Sequence, residues 1–158
     1  PERLSWIAEK ATELGASRLS IVRTERTQAF RGAAAALVRL ERVARAAAKQ
    51  CGTPRWPSID GPRSAAEGLG AEPARHRLLL DPAGIPFPAA LPPAACALAV
   101  GPEGGWTPEE VAWAGSIGWT ATRLPAGRLR AETAAIAGLA LLLAALARGA
   151  ESAGATLV

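Results

Sequence analysis

Two short segments carry the residue types best suited to chemistry: Gly101-Pro102-Glu103-Gly104-Gly105 and, further along, Leu129-Arg130-Ala131-Glu132-Thr133-Ala134. The first is a Gly/Pro turn that presents backbone N–H and C=O groups at close range and places one carboxylate among them. The second offers a guanidinium at Arg130 and a carboxylate at Glu132, two residues apart at the start of an apolar run. A phosphate loop does not fit the first segment, because no Lys-Ser/Thr pair follows and Glu103 would repel phosphate. A dinucleotide fingerprint does not fit either, since the GxGxxG spacing is absent. A carboxylate in the turn is instead compatible with a cationic ligand. The plain alternative is an ordinary turn in a chain with 16 Gly and 13 Pro. For Arg130 and Glu132 it is ordinary helix-start chemistry, which favours acids near an N-terminus.

Both segments are placed by the elements around them. Ala97 to Val100 reads as a buried strand leading into the first turn. Thr107-Pro108-Glu109-Glu110 then has the pattern of a capping box with proline at the first helical position. Thr120 to Leu124 is a second strand-like run, followed by a long helix over 131–148. Upstream, apolar spacing predicts helices over 3–14, closed by Gly15, and over Ala34–Gln50. Strands are predicted over Arg18–Val22, Ser58–Asp60 and His76–Asp81, with a short helix over Ser64–Gly70 and a surface loop over Pro82–Pro93. Strands alternating with helices predict an α/β fold with a mostly parallel sheet flanked by helices. Turns at the carboxyl ends of neighbouring strands then form a ligand crevice.

The chain has 158 residues, 49% hydrophobic and 20% charged. That is enough for one domain with its own core, expected over 1–150 with a tail over 151–158. The net charge is +4, and arginine dominates, Lys10 and Lys49 being the only lysines. Basicity of this kind suits a polyanion such as RNA, although an Ala/Gly/Pro/Arg-rich coding bias gives the same composition. One stripe of the second helix gathers Arg39, Arg42, Arg45 and Lys49 and, with Arg26, is a candidate phosphate contact; a solvated helix face is the bland reading. Cys51, Cys96 and His76 match no metal-ligand spacing, so no metal is expected, and two cysteines fit a reducing compartment. Pro1–Gly15 lacks the apolar core of a signal peptide. The apolar run over 134–147 is shorter than the ~20 residues that cross a bilayer, so no membrane association is expected.

Five blocks, in order, resemble the SPOUT methyltransferases, and most closely the branch that methylates N3 of a uridine in 16S ribosomal RNA. They are Lys10-Ala11-Thr12-Glu13-Leu14-Gly15; Thr24-Glu25-Arg26-Thr27; Ala48-Lys49-Gln50-Cys51-Gly52 with Pro57; Gly101 to Gly105; and Leu129 to Ala134. The chain departs from the family pattern at Pro125, at Gly127 and at Lys49. The resemblance implies a C-terminal trefoil knot, a cytoplasmic homodimer with active sites near the subunit interface, and ribosomal RNA or the small ribosomal subunit as partner. It implies S-adenosylmethionine as methyl donor, held by Leu80, Gly101, Glu103, Gly104, Gly105, Leu124, Pro125, Leu129 and Arg130. It also implies a β-barrel RNA-binding domain ahead of the catalytic one. Pro1, in a chain without Met, is expected to mark a cut or processed piece.

Methylation of uridine N3 requires loss of the N3 proton. If that nitrogen titrates roughly two units above neutrality, ionising it costs about 2.7 kcal/mol. Arg130 is the candidate that stabilises the developing anion through the uracil oxygens. Glu132 is a candidate base or the group that orients Arg130, and Glu103 is the other candidate base. Glu13 and Gln50 are further candidates that the first two helices can bring to the site, with a surface role as the equal alternative. A tRNA substrate, or a non-catalytic RNA-binding or dimerisation role, are the alternatives.

Overall fold

The computed structural model describes residues 2–27 and 32–152. The elements, in chain order, are α1 (Glu2–Glu13), β1 (Arg18–Arg23), α2 (Ala33–Cys51), β2 (Ser58–Ser64), α3 (Ala65–Gly70), β3 (His76–Pro86), β4 (Cys96–Val100), α4 (Pro108–Ser116), β5 (Thr120–Arg123) and α5 (Ala131–Ser152). Local chemistry explains several boundaries. Gly15 closes α1 with paired bonds from its own amide to Thr12 and from Ala16 to Ala11, the Schellman arrangement. Thr107 and Glu110 form the reciprocal capping box at the start of α4, with Pro108 in the first turn. Ser64 and Glu67 do the same for α3.

Every ladder is parallel, as the alternation of strands and helices predicts, but the strands fall into two groups rather than one sheet. β1 pairs with β2, and β3 stands between β4 and β5. Successive leucines of β3 point to opposite faces. Leu79 joins Leu69, Ala99, Trp106, Ala114 and Trp119 in a core beneath α3 and α4. On the other face Leu80 meets α5: a Cβ at Gly138 would stand 2.9 Å from Leu80 Cδ1 and Leu98 Cδ2. α1 and α2 cover the first ladder through Ala8, Ile21 and Leu40, with Leu4, Leu19, Leu37, Val43 and Ile59 around them.

Three expectations change. The segment after Asp81 is not all loop, because β3 runs on to Pro86 and pairs Ile85 with Thr122 and Pro86 with Arg123 after a break in register. Beyond Leu80 the strand pairs only with β5, so proline, which cannot donate to a ladder, is tolerated on its free edge. β2 likewise continues past Asp60 to Ser64. The last helix does not stop at 148: Glu151 and Ser152 belong to it, and 153–158 lie outside the described residues. At 22 residues α5 is long and apolar enough to cross a membrane by length and composition, and 28% of its apolar window is buried. The apolar helix is therefore longer than the run over 134–147 that the sequence marks. The helix nevertheless packs on β3 and β4 within the domain.

The connection between β3 and β4 crosses α5. Leu91 donates its amide to Ala145 O at 2.9 Å, and Arg148 Nε donates to Ala89 O at 2.5 Å. Gly149 lies against the backbone of Leu91 with no room for a side chain. A similar close approach occurs at Gly84, where a Cβ would stand 2.5 Å from Ala121 C and Thr122 N. Gly84→Ala is therefore expected to separate the distal part of β3 from β5 and to cost about 1–3 kcal/mol. Urea unfolding checks this, and an unchanged midpoint would show that the two backbones part without cost.

Candidate functional site

The Gly-rich turn is anchored at three points. Gly105 donates its amide to Pro102 O at 2.8 Å and has φ +70°, a conformation that favours glycine. Trp106 is 6% exposed, and its indole N–H donates to Leu80 O at 3.2 Å. Gly101 rests on the same indole, its Cβ position 3.0 Å from Nε1. The third anchor is Thr24–Thr27, which is closed on itself by Thr24 and Thr27. Arg26 Nη1 donates to Gly104 O at 2.8 Å and to Trp106 O at 3.2 Å. The Glu25 amide donates to Glu110 Oε1 at 2.9 Å, while Glu110 Oε2 accepts from Thr107 N. A single carboxylate thus caps α4 and ties the segment after β1 to that helix.

The second segment leaves β5 and enters α5 at Ala131. Arg123 Nη1 donates to Gly84 O at 2.7 Å, securing the end of the strand. Beyond it, among the described residues, the amides of Ala126, Gly127, Arg128, Leu129 and Arg130 make no hydrogen bond, and neither do those of Glu103 and Gly104. Leu124 and Leu129 are half-buried, whereas Pro125 and Arg130 are exposed. Arg130 has no carboxylate partner among the described residues.

Arg3, in the first turn of α1, joins the two segments. It pairs with Glu103 through Nη1, and its Nε lies 3.7 Å from Glu132 Oε1. The two turns therefore sit side by side, as the sequence requires if they form one crevice. The other oxygen of Glu132 is buried without a hydrogen-bond partner, and so is Thr122 Oγ1 on β5, a residue that is 0% exposed. Buried polar atoms without partners are rare and mark places where a ligand or water completes the bonding. Free backbone amides and two orphaned oxygens suit a polar nucleoside, while the Glu103 carboxylate is met by Arg3. No group of His, Cys, Asp and Glu among the described residues has metal-site geometry.

Of the residues expected in the site, Leu80, Gly101, Glu103, Gly104, Gly105, Leu124, Pro125, Leu129, Arg130 and Glu132 all lie on these two turns or on the strand between them. Glu13 and Gln50 do not reach it. They stand at the far ends of α1 and α2, where Lys10 pairs with Glu13 and Glu9, whose carboxylates raise its ammonium above the ordinary range. The basic set is divided in use. Arg26 is engaged by the glycine turn, and Arg39 donates to Ser5 Oγ at 2.9 and 3.1 Å. Arg42, Arg45 and Lys49 remain exposed on α2. Arg3, Trp106 and Thr122 escaped sequence reasoning. Only Trp106 left a local sign, an aromatic residue placed directly between the turn and the capping box.

The chain matches the model of the RNA methyltransferase domain over residues 1–143. It is similar to a Legionella pneumophila protein described as a methyltransferase and solved with bound SAM, at 30% identity and TM-score 0.84, covering 92% of this chain and 62% of that one. It is also similar to a protein described as an rRNA methyltransferase from Porphyromonas gingivalis, at 28% identity and TM-score 0.83, covering 93% and 63%. A third likeness is to ribosomal RNA small subunit methyltransferase E from Neisseria gonorrhoeae bound to S-adenosyl methionine, at 27% identity and TM-score 0.81, covering 92% and 62%. The chain thus spans a little under two thirds of the length of these structures. No curated protein matches it in sequence. Fold, paired turns and family match agree, and the chain belongs to the RNA methyltransferase domain family.

Proposed function

We propose that the chain transfers a methyl group from S-adenosylmethionine to N3 of a uridine in 16S ribosomal RNA. The observation that carries this reading is the junction at Arg3, which links two turns with unpaired amides through Glu103 and Glu132, the second of which keeps a buried oxygen without a partner. When bound there, S-adenosylmethionine supplies a methyl group activated by its sulfonium. Glu103 and Gly104 on one side and Ala126 to Arg130 on the other offer amides to the cofactor's nucleoside. Leu80, Gly101, Gly105, Leu124, Pro125 and Leu129 would complete the cofactor's surroundings.

Arg130 stands at the entry to α5, exposed and unpaired, and holds its charge against the uracil oxygens as N3 loses its proton. Glu132 is the better placed of the two carboxylates to take that proton or to orient the arginine, because one of its oxygens is uncommitted. Glu103 is already bound by Arg3. The reading extends to a homodimer, supported by the apolar α5, where Leu143 is 39% exposed, and by Trp6 on α1, 42% exposed. It also extends to a knotted C-terminal third, supported by the β3–β4 connection lying across α5. The two free thiols, Cys51 and Cys96, fit a cytoplasmic protein.

Two measurements test the reading. Calorimetric titration with S-adenosylmethionine is expected to show one site per chain; no heat at millimolar ligand would sink it. Mapping of the methyl group on ribosomal RNA taken from a strain lacking the gene is then expected to place it on a uridine N3. A methyl found only on tRNA would move the substrate and keep the cofactor.

A further inference from the structure

We infer that the outer face of α2, together with Arg55 and Trp56, is a docking track for an unpaired stretch of the RNA substrate that flanks the target nucleotide. The inference rests on the RNA methyltransferase reading and adds a binding surface remote from the methyl-transfer crevice. The track begins in a shallow groove of about 420 Å³ lined by Val38, Glu41, Arg42, Arg45, Ala46 and Lys49. Arg42, Arg45 and Lys49 are exposed, and neither Arg42 nor Lys49 has an ion-pair partner among the described residues. Arg55 adds a fourth exposed cation beside Trp56, against the single carboxylate of Glu41.

Trp56 gives this surface its chemical class. A large aromatic side chain in a loop ordinarily turns inward, yet Trp56 is 45% exposed while its neighbour Pro57 is buried. The Arg45 guanidinium lies 5.1 Å from the centre of the indole, within cation–π range. The arginine lies over the ring, and the residue still keeps 45% of its surface open to solvent. Aromatic rings beside a line of cations bind single strands, because bases stack on the ring while phosphates follow the charges. Paired bases cannot reach the ring, so the fit is to unpaired RNA.

The position of the track follows from the topology. β1 and β2 are parallel, with Arg18 opposite Ser58 and Arg23 opposite Ser64. The C-terminal end of β1 feeds Thr24–Thr27, which holds the glycine turn. Trp56 precedes β2 and so lies at the opposite end of the ladder. α2, with 19 residues, spans about 28 Å at 1.5 Å per residue and runs between these two ends. The surface therefore grips RNA well away from the reacting base. Its loss weakens RNA binding and leaves cofactor binding intact.

The test uses a fluorescein-labelled oligouridine, a duplex RNA of equal length, and S-adenosylmethionine as separate probes. Trp56→Ala is expected to weaken oligouridine binding about tenfold, the lower part of the range for losing one stacked base, with duplex binding unchanged. Trp56→Phe should restore most of the affinity. Arg42→Ala and Lys49→Ala should each reduce the slope of log affinity against log salt by about 0.7. All four variants should bind S-adenosylmethionine as the wild type does. Wild-type affinity for oligouridine in Trp56→Ala, with normal salt dependence in the arginine and lysine variants, would overturn the track while leaving the methyltransferase reading in place. Failure of the wild-type chain to bind either RNA, with S-adenosylmethionine still bound, would overturn the RNA reading and the track together. Concentration-dependent self-association of the wild type that Trp56→Ala abolishes would assign the face to a second copy and overturn the track alone.

Discussion

Arg130→Ala is expected to lower kcat for RNA methylation by about 10²- to 10³-fold, the usual cost of removing one donor that stabilises developing negative charge. The affinity for S-adenosylmethionine should stay within about twofold, since in the proposed site backbone amides hold the cofactor and the guanidinium serves the other reactant. The side chain is exposed and makes no ion pair among the described residues, so its removal should leave stability unchanged. Any loss of rate is then chemical in origin. Arg130→Lys should recover only part of the rate, because an ammonium keeps the charge but lacks the planar fork that meets two uracil oxygens. Steady-state kinetics on RNA lacking the modification, beside cofactor calorimetry, check both variants. Turnover of Arg130→Ala near that of the wild type would remove Arg130 from the mechanism and leave the carboxylates to account for proton loss unaided.

Trp106→Ala should be the most damaging substitution for the fold around the crevice. The indole is 6% exposed and shares a core with Leu69, Leu79, Ala99, Ala114 and Trp119. It also supplies the hydrogen bond to Leu80 O and the surface on which Gly101 lies. Truncating a buried tryptophan costs about 3–5 kcal/mol, a large share of the roughly 5–15 kcal/mol that keeps a domain folded. Trp106→Phe keeps most of the ring and leaves the Leu80 carbonyl unpaired, which costs about 1–3 kcal/mol. Denaturant unfolding separates the two, and cofactor binding should weaken in both as the turn loses its seat. A cost below about 1 kcal/mol for the alanine variant would show that Arg26 and Gly105 hold the turn unaided.

The elements that carry the site were legible because their signals are local. Gly15 closes α1, and Thr107 with Glu110 opens α4, each through contacts within a few residues, so spacing alone locates them. The two turns were legible as turns from their glycines and prolines. Arg3 was not, because its partners Glu103 and Glu132 are about a hundred residues away and nothing near Arg3 announces them. The same holds for Arg26 and Arg39, which a charge stripe presents as free cations and which the fold commits to Gly104 and Ser5. β3 was cut short because proline marks a break wherever both edges of a strand are paired. Pro82 and Pro86 lie where only one edge is.

Arg3 also has a topological consequence. It belongs to the opening turn of α1 and pairs with a carboxylate on each of the two turns, so the amino-terminal end of the helix is moored at the rim of the proposed crevice. Any polypeptide joined ahead of Glu2 is delivered to the rim of that crevice. A module attached there can screen what enters without a long tether, and a bulky fusion at that end would act as a stopper.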